Sequence, residues 1–458
     1  MFEPRSSAES DATQTHIARR IRSFNPDSNN NSTYSSSIDN EQYYHGLLPR
    51  EDVSLLLKEN GDFVVRSSEA KPGEARSYIL SVLTDKTSLD HPIKHLIIYT
   101  DSQNRKYWID KKTFETIRSL LDFYQTETGK PVVHLIRAIP RQSWELEHES
   151  ITIQKKLGEG AFGEVSMGVF KTKKMTKGIQ VALKQAKLDK LNKEQIKEFM
   201  SEARHLRTFQ HPNIVKLYGV AVLQEPLYMV MELASHGALD SYLQKNPTLP
   251  LETRNEMILQ AAWGIEYLHS KQVIHRDIAA RNCLYGDQKV KISDFGLSRT
   301  GLVYQMEQAR KIPIRWCSVE TLVTGCYTSK TDVWSYGILC WEIYNNVSIE
   351  PYTGVSTEEL NQKLRHGLRM DVPTHIHADI QKMIQNCWLE NPSERPSMTE
   401  ITGILQKITG LKRPPEKEKQ ERSKSKSKEL TTKESSNTVE GLCKVEPNRK
   451  TRKKKPSN

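Results

Sequence analysis

Residues 273–285 have the sequence VIHRDIAARNCLY, in which a polar loop is enclosed by apolar residues. Two arginines, Arg276 and Arg281, stand near Asp277 and Asn282, and both residues at 279–280 are alanine. Because buried charge is costly unless it is paired or binds a ligand, this concentration of polar groups between apolar walls indicates a functional loop. Its chemistry depends on the segments that fold around it.

A glycine-rich segment, LGEGAFGEV at 157–165, places Gly158, Gly160 and Gly163 in the G-x-G-x-x-G spacing. The spacing alone also occurs in dinucleotide-binding folds, where it opens a helix. Here an alternating strand, EVSMGVF, follows the glycines. We therefore expect a hairpin that closes over phosphate groups, since no Cβ blocks approach of the backbone.

Two further segments carry charges that need partners. Lys184 lies on the apolar strand IQVALKQA, and Glu202 borders the apolar stripe of the helix LNKEQIKEFMSEARHLRTF. A border glutamate is usually a solvated charge, but a buried lysine on the neighbouring strand favours an ion pair. Asp294 in KISDFGLSR follows a strand and offers the carboxylate oxygen that Mg²⁺ prefers.

Taken in order, these segments make residues 151–409 resemble a protein kinase. The resemblance implies that Asp277 accepts the proton of the substrate hydroxyl, that Lys184 orients the ATP phosphates, and that Asn282 and Asp294 hold Mg²⁺. Ala279 and Arg281, in the AARN arrangement, resemble tyrosine kinases, as does the predicted substrate shelf KIPIRW at 311–316. The implied ATP-binding residues are Leu157, Gly158, Glu159, Gly160, Ala161, Phe162, Gly163, Glu164, Val165, Ala182, Lys184, Met231, Glu232 and Ala234.

The implied activation segment runs from Asp294 to Glu320 and contains one tyrosine, Tyr304. The resemblance implies autophosphorylation of Tyr304, with Arg276 meeting the phosphate. The usual A-P-E triplet is replaced by SVE at 318–320. Its glutamate is retained and is expected to pair with Arg395, so the departure puts the rate in doubt rather than the fold.

A smaller unit at 42–134 mixes helices (REDVSLLLKEN, FETIRSLLDFYQTE) with strands (DFVVRS, SYILSVL, HLIIYT). An arginine inside a strand, Arg66, needs an anion, and its planar fork matches a phosphate. A structural ion pair is the alternative, but the strand segment FVVRS around Arg66 offers no acidic partner. The unit resembles a Src-homology-2 (SH2) domain, a central antiparallel sheet flanked by two helices, and the resemblance implies that Arg50, Arg66, Ser68 and His95 bind phosphotyrosine.

The connector at 135–150 resembles that of the Fes/Fer non-receptor tyrosine kinases, whose members carry a long N-terminal F-BAR region. Residues 1–41 are too few for such a region and are rich in Ser, Asn and Asp, so we expect them to be disordered. The predicted architecture is α+β: an SH2 fold, a two-lobed kinase fold at 151–410 and a basic tail at 411–458. Tyrosine-phosphorylated proteins and protein substrates are the implied partners.

Composition narrows the cellular setting. No apolar run reaches the length of a membrane span, no secretory signal is present, and six cysteines form no CxxC pair, which indicates reduced thiols in the cytoplasm or nucleus. Of the net charge of +11, +9 lies beyond residue 411, where 16 Lys and Arg face 7 Glu. The tail, with NRKTRKKK near its end, is compatible with nuclear import, with attachment to an anionic membrane, or with a plain solvated segment.

A different class of function is a catalytically weak scaffold that only binds phosphotyrosine. Inactive kinase relatives usually lack the strand lysine, the loop aspartate or the metal-binding aspartate. Lys184, Asp277 and Asp294 are all present, which favours an enzyme.

Overall fold

The computed structural model describes residues 38–414, except for 72, 102, 104–105, 128, 130, 161–162, 187–190 and 307–311. Of the segments predicted to be disordered, 1–41 and 411–458, residues 1–37 and 415–458 lie outside the described residues. Described structure begins with a short 3₁₀ turn at Ile38–Asn40, slightly before the predicted domain start at 42. No helix in the described ranges is both long and apolar enough to cross a membrane.

The first unit is a five-stranded sheet with two helices. The sheet has the order β4-β3-β2-β1-β5, and only the β1–β5 pair is parallel. The elements are α1 (Arg50–Leu56), β1 (Asp62–Glu69), β2 (Arg76–Leu83), β3 (Ile93–Thr100), β4 (Tyr107–Trp108), α2 (Ile117–Thr126) and β5 (Arg137–Ala138).

Helix α2 begins later than the sequence pattern suggests. Phe114 belongs to a bridge with Tyr107, and the Thr116 side chain then caps the helix by accepting the N–H of Ser119. Leu120 and Leu121 of α2 are buried against the strands, so helix and sheet share one apolar core.

The second unit opens with a small lobe. Its five-stranded antiparallel sheet has the order β6-β7-β8-β10-β9, and one helix packs beside it. The elements are β6 (Ile151–Gly160), β7 (Gly163–Phe170), β8 (Ile179–Ala186), α3 (Lys193–Leu206), β9 (Leu217–Ala221) and β10 (Tyr228–Glu232). Asn192 and Gln195 form a reciprocal capping box that fixes the start of α3.

The large lobe is mostly helical. Helix α7 is buried along most of its length, which explains why its sequence is apolar on every side, and α10 packs on α5. The elements are α4 (Leu239–Lys245), α5 (Leu251–Ser270), β11 (Val273–Ile274), β12 (Cys283–Gly286), β13 (Lys289–Ile292), β14 (Arg299–Thr300), β15 (Val303–Gln305), α6 (Val319–Thr324), β16 (Cys326–Thr328), α7 (Ser329–Tyr344), α8 (Thr357–Arg365), α9 (Ala378–Cys387) and α10 (Met398–Thr409). The predicted α+β architecture of two units is confirmed.

The predicted start of the basic tail at 411 needs a correction. Leu411 packs against the core of the large lobe, and Arg413 lies 2.7 Å from the Glu266 carboxylate on α5. These two contacts hold the chain to the large lobe beyond the end of α10, so the packed structure extends at least to Arg413.

The two units are packed against one another. Asp52 of α1 is almost fully buried between Arg204 and Arg207 of the second unit, at 2.8 and 2.7 Å. Arg76 of β2 makes a two-pronged ion pair with Glu225, with both distances 2.8 Å. Gly46 takes φ +56°, and an added Cβ would lie 2.2 Å from the carbonyl oxygen of Val222. The backbones of the two units therefore approach too closely for any other residue at this position.

Candidate functional site

The predicted ion pair between β8 and α3 is formed. Lys184 Nζ lies 2.9 and 2.7 Å from the two carboxylate oxygens of Glu202, and both side chains are buried. Asp294 Oδ1 is 3.8 Å from the same nitrogen. Burial alone lowers the pKa of Lys184, but the Glu202 and Asp294 carboxylates outweigh it and raise the pKa above its usual value. The lysine is therefore a fixed cation between two carboxylates.

Helix α7 packs against the loop at 273–285 and accepts hydrogen bonds from its backbone. Asp332 accepts the N–H of His275 at 2.8 Å and that of Arg276 at 2.9 Å. Glu342, further along the same helix, accepts the N–H of Ala280 at 2.9 Å. The two loop alanines are fully buried, so their small side chains allow the loop to lie directly against α7.

The polar side chains of this loop are tied to one another. Arg281 Nη2 donates to Asp277 Oδ1 at 2.5 Å, and Asn282 Nδ2 donates to the carbonyl oxygen of Asp277 at 2.9 Å. Because the amide nitrogen of Asn282 is used in this way, its oxygen is left to face a cation. Asn282 and Asp294 are therefore oxygen donors that suit a hard divalent metal.

The glycine-rich segment forms the expected hairpin between β6 and β7. Gly158 pairs with Val165, Glu159 with Glu164, and Gly160 with Gly163, while the tip residues Ala161 and Phe162 lie outside the described residues. A Cβ at Gly158 would meet nothing within 4 Å. Packing within the protein therefore does not require this glycine, and the space beside it is open to a ligand.

The predicted adenine-binding residues line up along the neighbouring strands. Val165 is in register with Lys184, and Ala182 with Met231. Leu157 is half exposed on β6, and Ala234 follows the end of β10 in a buried position. Glu232 is held by Lys291 at 3.0 Å, which fixes the segment between the lobes.

The activation segment starts in an ordered conformation. Asp294 has φ +60°, and the buried ring of Phe295 packs against His275 at 4.9 Å and Phe209 at 5.2 Å between ring centroids. This packing lets Asp294 lie next to Lys184. The strained backbone is consistent with a functional position.

Tyr304, on β15, lies among cations. The Arg276 guanidinium carbon is 4.3 Å from the centroid of the Tyr304 ring and 4.1 Å from that of Tyr327, and the Arg299 carbon is 5.4 Å from the Tyr304 ring. Arg276 Nε is buried and has no hydrogen-bond partner among the described residues. The neighbouring residues 307–311, which include Arg310 and the start of the predicted shelf, lie outside the described residues.

The rest of the predicted substrate shelf lies against the loop. The Arg281 guanidinium carbon is 4.2 Å from the ring centroid of Trp316. The expected pair below the shelf is also formed, since Arg395 is buried and contacts both Glu320 oxygens, at 2.7 and 2.8 Å. Ser318, at the N-cap of α6, donates to Thr321 Oγ1 at 3.0 Å. A side-chain hydrogen bond thus helps to hold this turn where related kinases have a proline.

In the first unit, Arg66 is 3% exposed and points to a cavity of about 220 Å³ that Arg50 and Ser68 also line. Arg66 Nε donates to Ser81 Oγ at 3.2 Å, and His95 Nδ1 lies 2.9 Å from the same oxygen. Burial, followed by the charge of Arg50, lowers the pKa of Arg66 to about 10. Burial and the nearby cations Arg66, Arg50 and Lys193 lower the pKa of His95 to about 3. The pocket is therefore built for an anion.

Several residues of these sites were missed in the sequence. Ser81 orients both Arg66 and His95, and the alternation of SYILSVL could have placed it on the face of Arg66. Glu342 lies in the apolar run WSYGILCWEIY, where a single carboxylate was a usable signal. Asp52 and Lys193 act across the boundary between the units, and no pattern within either unit indicates that.

Comparison with known proteins agrees with this geometry. The family model for protein tyrosine and serine/threonine kinases matches residues 151–405, and the SH2 domain model matches residues 43–124. The human tyrosine-protein kinase Fer is 40% identical over 81% of this chain, which spans 44% of that relative. The Fer-related kinase 1 of Caenorhabditis elegans is 36% identical over 83% of this chain and is covered over 97% of its length.

The transforming protein Fps of an avian sarcoma virus is 37% identical over 78% of the chain. The chain spans less than half the length of the mammalian Fer proteins it matches. With the kinase model covering more than half of its residues, the chain belongs to the protein tyrosine kinases of the Fer and Fps type, with an SH2 domain ahead of the kinase domain.

Proposed function

We propose that the chain is a non-receptor protein-tyrosine kinase that transfers the γ-phosphate of ATP to tyrosine hydroxyls of proteins. The observation that carries the proposal is the joint placement of Lys184, Glu202 and Asp294 beside the loop that holds Asp277 and Asn282. Phosphoryl transfer is mainly positioning and charge neutralisation, so a small set of fixed charged groups suffices.

The roles follow from the contacts. Lys184, held by Glu202, would orient the ATP phosphates under the glycine hairpin. Asp277 would accept the proton of the tyrosine hydroxyl, and its hydrogen bond from Arg281 keeps it in place. Asn282 and Asp294 would hold Mg²⁺, which when bound neutralises charge on the phosphates. The other predicted ATP-binding residues, from Leu157 to Ala234, would enclose the nucleotide.

Tyrosine as the acceptor is favoured by the ledge beside the loop. Arg281 bridges Asp277 and the Trp316 ring, so the cation near the base rests on an aromatic surface. An aromatic surface beside the base suits a phenol ring, whose hydroxyl lies further from the peptide backbone than that of serine.

The SH2 domain would direct the enzyme to tyrosine-phosphorylated proteins through Arg50, Arg66, Ser68 and His95. The weak-scaffold alternative needs the transfer site to be incomplete, whereas the predicted pair of Lys184 with Glu202 is formed and Arg281 also pairs with Asp277. We further propose a cytoplasmic setting, with the basic segment beyond residue 414 available to an anionic membrane or to nuclear import.

The test is transfer of radiolabelled phosphate from ATP to three peptides that differ only in Tyr, Ser or Phe at one position. We expect incorporation into the tyrosine peptide alone, and only with a divalent metal. Equal labelling of the serine peptide would contradict tyrosine specificity. Absence of any labelling, with phosphotyrosine binding intact, would establish the scaffold.

A further inference from the structure

We propose that Lys193, the first residue of α3 in the kinase domain, is a phosphotyrosine-binding residue, so that one bound phosphate is shared by both domains. The proposal rests on the phosphotyrosine binding proposed above and extends that site beyond the SH2 domain. It concerns which residues bind the phosphate rather than whether one is bound.

The cavity in front of Arg66 has walls from both domains. The SH2 side is formed by residues of α1 and β1, including Arg50, Arg66 and Ser68. The opposite side is the first turn of α3, where Lys193, Glu194 and Lys197 lie. A ligand that fills the cavity therefore contacts the kinase domain as well.

The charges around the cavity do not balance. Five lining residues are cationic, namely Arg50, Arg66, Arg76, Lys193 and Lys197, and three are acidic, namely Glu51, Glu69 and Glu194. Two of the cations are already engaged. Lys197 pairs with Glu51 at 2.8 Å, and Arg76 pairs with Glu225 outside the cavity.

Three cations are left over. Within the described ranges, Arg50, Arg66 and Lys193 have no carboxylate within ion-pair distance. Glu69 accepts the N–H of Gly73 at 3.3 Å, and Glu194 is exposed. Since a phosphate monoester carries close to two negative charges at neutral pH, it is the ligand that this group of cations matches.

The positive charge of Lys193 affects His95, which contacts the same serine as Arg66. The positive charges that lower the pKa of His95, after burial itself, are those of Arg66, Arg50 and Lys193. Lys193 is half-buried as a residue, so its charge is less screened by water than that of a fully exposed lysine. In addition, the N-terminal end of the 14-residue helix α3 favours a nearby anion.

This arrangement links the ligand to the transfer site through one helix. Lys193 and Glu202 both lie on α3, so a phosphate held by Arg66 and Lys193 fixes the start of the helix whose later turn carries the partner of Lys184. The affinity for a phosphotyrosine ligand therefore depends on the two domains being docked against one another.

The experiment measures binding of a fluorescent phosphotyrosine peptide to the full chain by anisotropy, at two ionic strengths. The variants are Lys193→Gln, Lys193→Arg and, as a matched control, Lys245→Gln at the exposed end of α4. We expect Lys193→Gln to weaken binding roughly tenfold and to reduce the salt dependence, as loss of one charge-assisted contact does. Lys193→Arg and Lys245→Gln should bind within about twofold of the wild type.

Arg66→Ala separates the two proposals. If it abolishes binding while Lys193→Gln binds like the wild type at both ionic strengths, the shared site is wrong and the SH2 pocket stands alone. If Arg66→Ala leaves binding intact, the phosphotyrosine function itself fails. The unfolding midpoint of each variant without peptide, measured alongside, distinguishes a lost contact from a damaged fold.

Discussion

Asp52 of the SH2 domain accepts a hydrogen bond from Arg204 of the kinase domain at 2.8 Å, and Arg204 lies two residues beyond Glu202 on α3. The carboxylate that anchors one domain to the other therefore holds the same helix that positions the partner of Lys184. Trp144 of the connector adds to this anchor, because its ring lies 3.8 Å from the guanidinium carbon of Arg207 at the end of α3. Helix α3 therefore takes part both in the docking of the two domains and in the phosphoryl-transfer site.

Asp52→Asn should separate the domains partly and lower kcat/KM. Asp52 is 1% exposed, and its loss leaves two arginines without a charge partner, a change that costs about 3 kcal/mol in buried pairs. We expect a several-fold drop in kcat/KM on a peptide that carries no phosphotyrosine, and a lower free energy of unfolding in urea. The matched control is Glu59→Gln, which removes an exposed ion pair with Lys86 and should change stability by less than about 1 kcal/mol. Equal effects of the two variants would contradict coupling through Asp52.

Asp277→Asn should reduce turnover by roughly a hundredfold to ten-thousandfold, because the amide cannot accept the hydroxyl proton. ATP should still protect the variant against thermal unfolding, since Asp277 is not one of the residues predicted to bind ATP. Lys184→Arg should also inactivate, by misplacing the phosphates. The control is Asp287→Asn, an exposed turn residue with φ +51°, a conformation that asparagine accepts. Turnover of the Asp277 variant within a few-fold of the wild type would refute the assigned base.

Tyr304 should become phosphorylated on incubation with ATP, and activity should rise on the order of tenfold. Arg276 and Arg299 already lie beside the ring, and a phosphate would give an acceptor to Arg276 Nε, which has none within the described part of the chain. Tyr304→Phe should abolish the rise, whereas Tyr327→Phe, at the buried ring beside it, should retain it. The check is phosphosite mapping combined with rates before and after incubation. A fully activated preparation with unmodified Tyr304 would contradict the prediction.

Glu342→Gln should alter how stability depends on pH. Burial raises the pKa of Glu342 to about 7, so the folded protein binds this proton more tightly than the unfolded chain. The contribution of the group to stability is therefore complete below its unfolded pKa of 4.5 and is lost as the pH rises through 7. At pH 8 the loss is on the order of 3 kcal/mol.

Glutamine does not titrate, so the variant lacks this loss. The free energy of unfolding of the wild type minus that of Glu342→Gln should fall between pH 5.5 and pH 8. Half-buried histidines such as His205 and His211, whose pKa burial lowers, titrate in both proteins and cancel in the difference. A difference that stays constant with pH would show that Glu342 is ionised throughout.

The sequence allowed a functional residue to be predicted where the short segment around it already shows why that residue is needed. The glycine hairpin, Lys184 on its apolar strand and Arg66 inside a strand were all predicted from local pattern, and the pair of Glu320 with Arg395 followed from the kinase resemblance. Asp52 and Lys193 could not be assigned in the same way, because their roles depend on contacts with distant parts of the chain. The end of the kinase domain was misplaced for a similar reason, since the pairing of Arg413 with Glu266 is not visible in a charged sequence.

The docked domains also make a prediction about substrates that already carry one phosphotyrosine. Such a peptide would bind at Arg66 and present a second tyrosine to Asp277 at an effective concentration on the order of millimolar. The gain adds no contact in the transition state, so priming should lower KM and leave kcat unchanged. Because Asp52 and the Arg76–Glu225 pair fix the two sites relative to one another, the benefit should appear only above a threshold spacer length between the two tyrosines.

The measurement is a series of two-tyrosine peptides with spacers of increasing length, each with and without the priming phosphate. In the wild type, KM should fall abruptly once the spacer reaches from one site to the other and rise slowly beyond that length. Arg66→Ala should remove the benefit at every length. Asp52→Asn, which loosens the docking but keeps Arg66 on its strand, should keep part of the benefit and blur the threshold. A benefit that survives loss of Arg66, or that shows no dependence on spacer length in the wild type, would mean that the two sites do not act on one substrate.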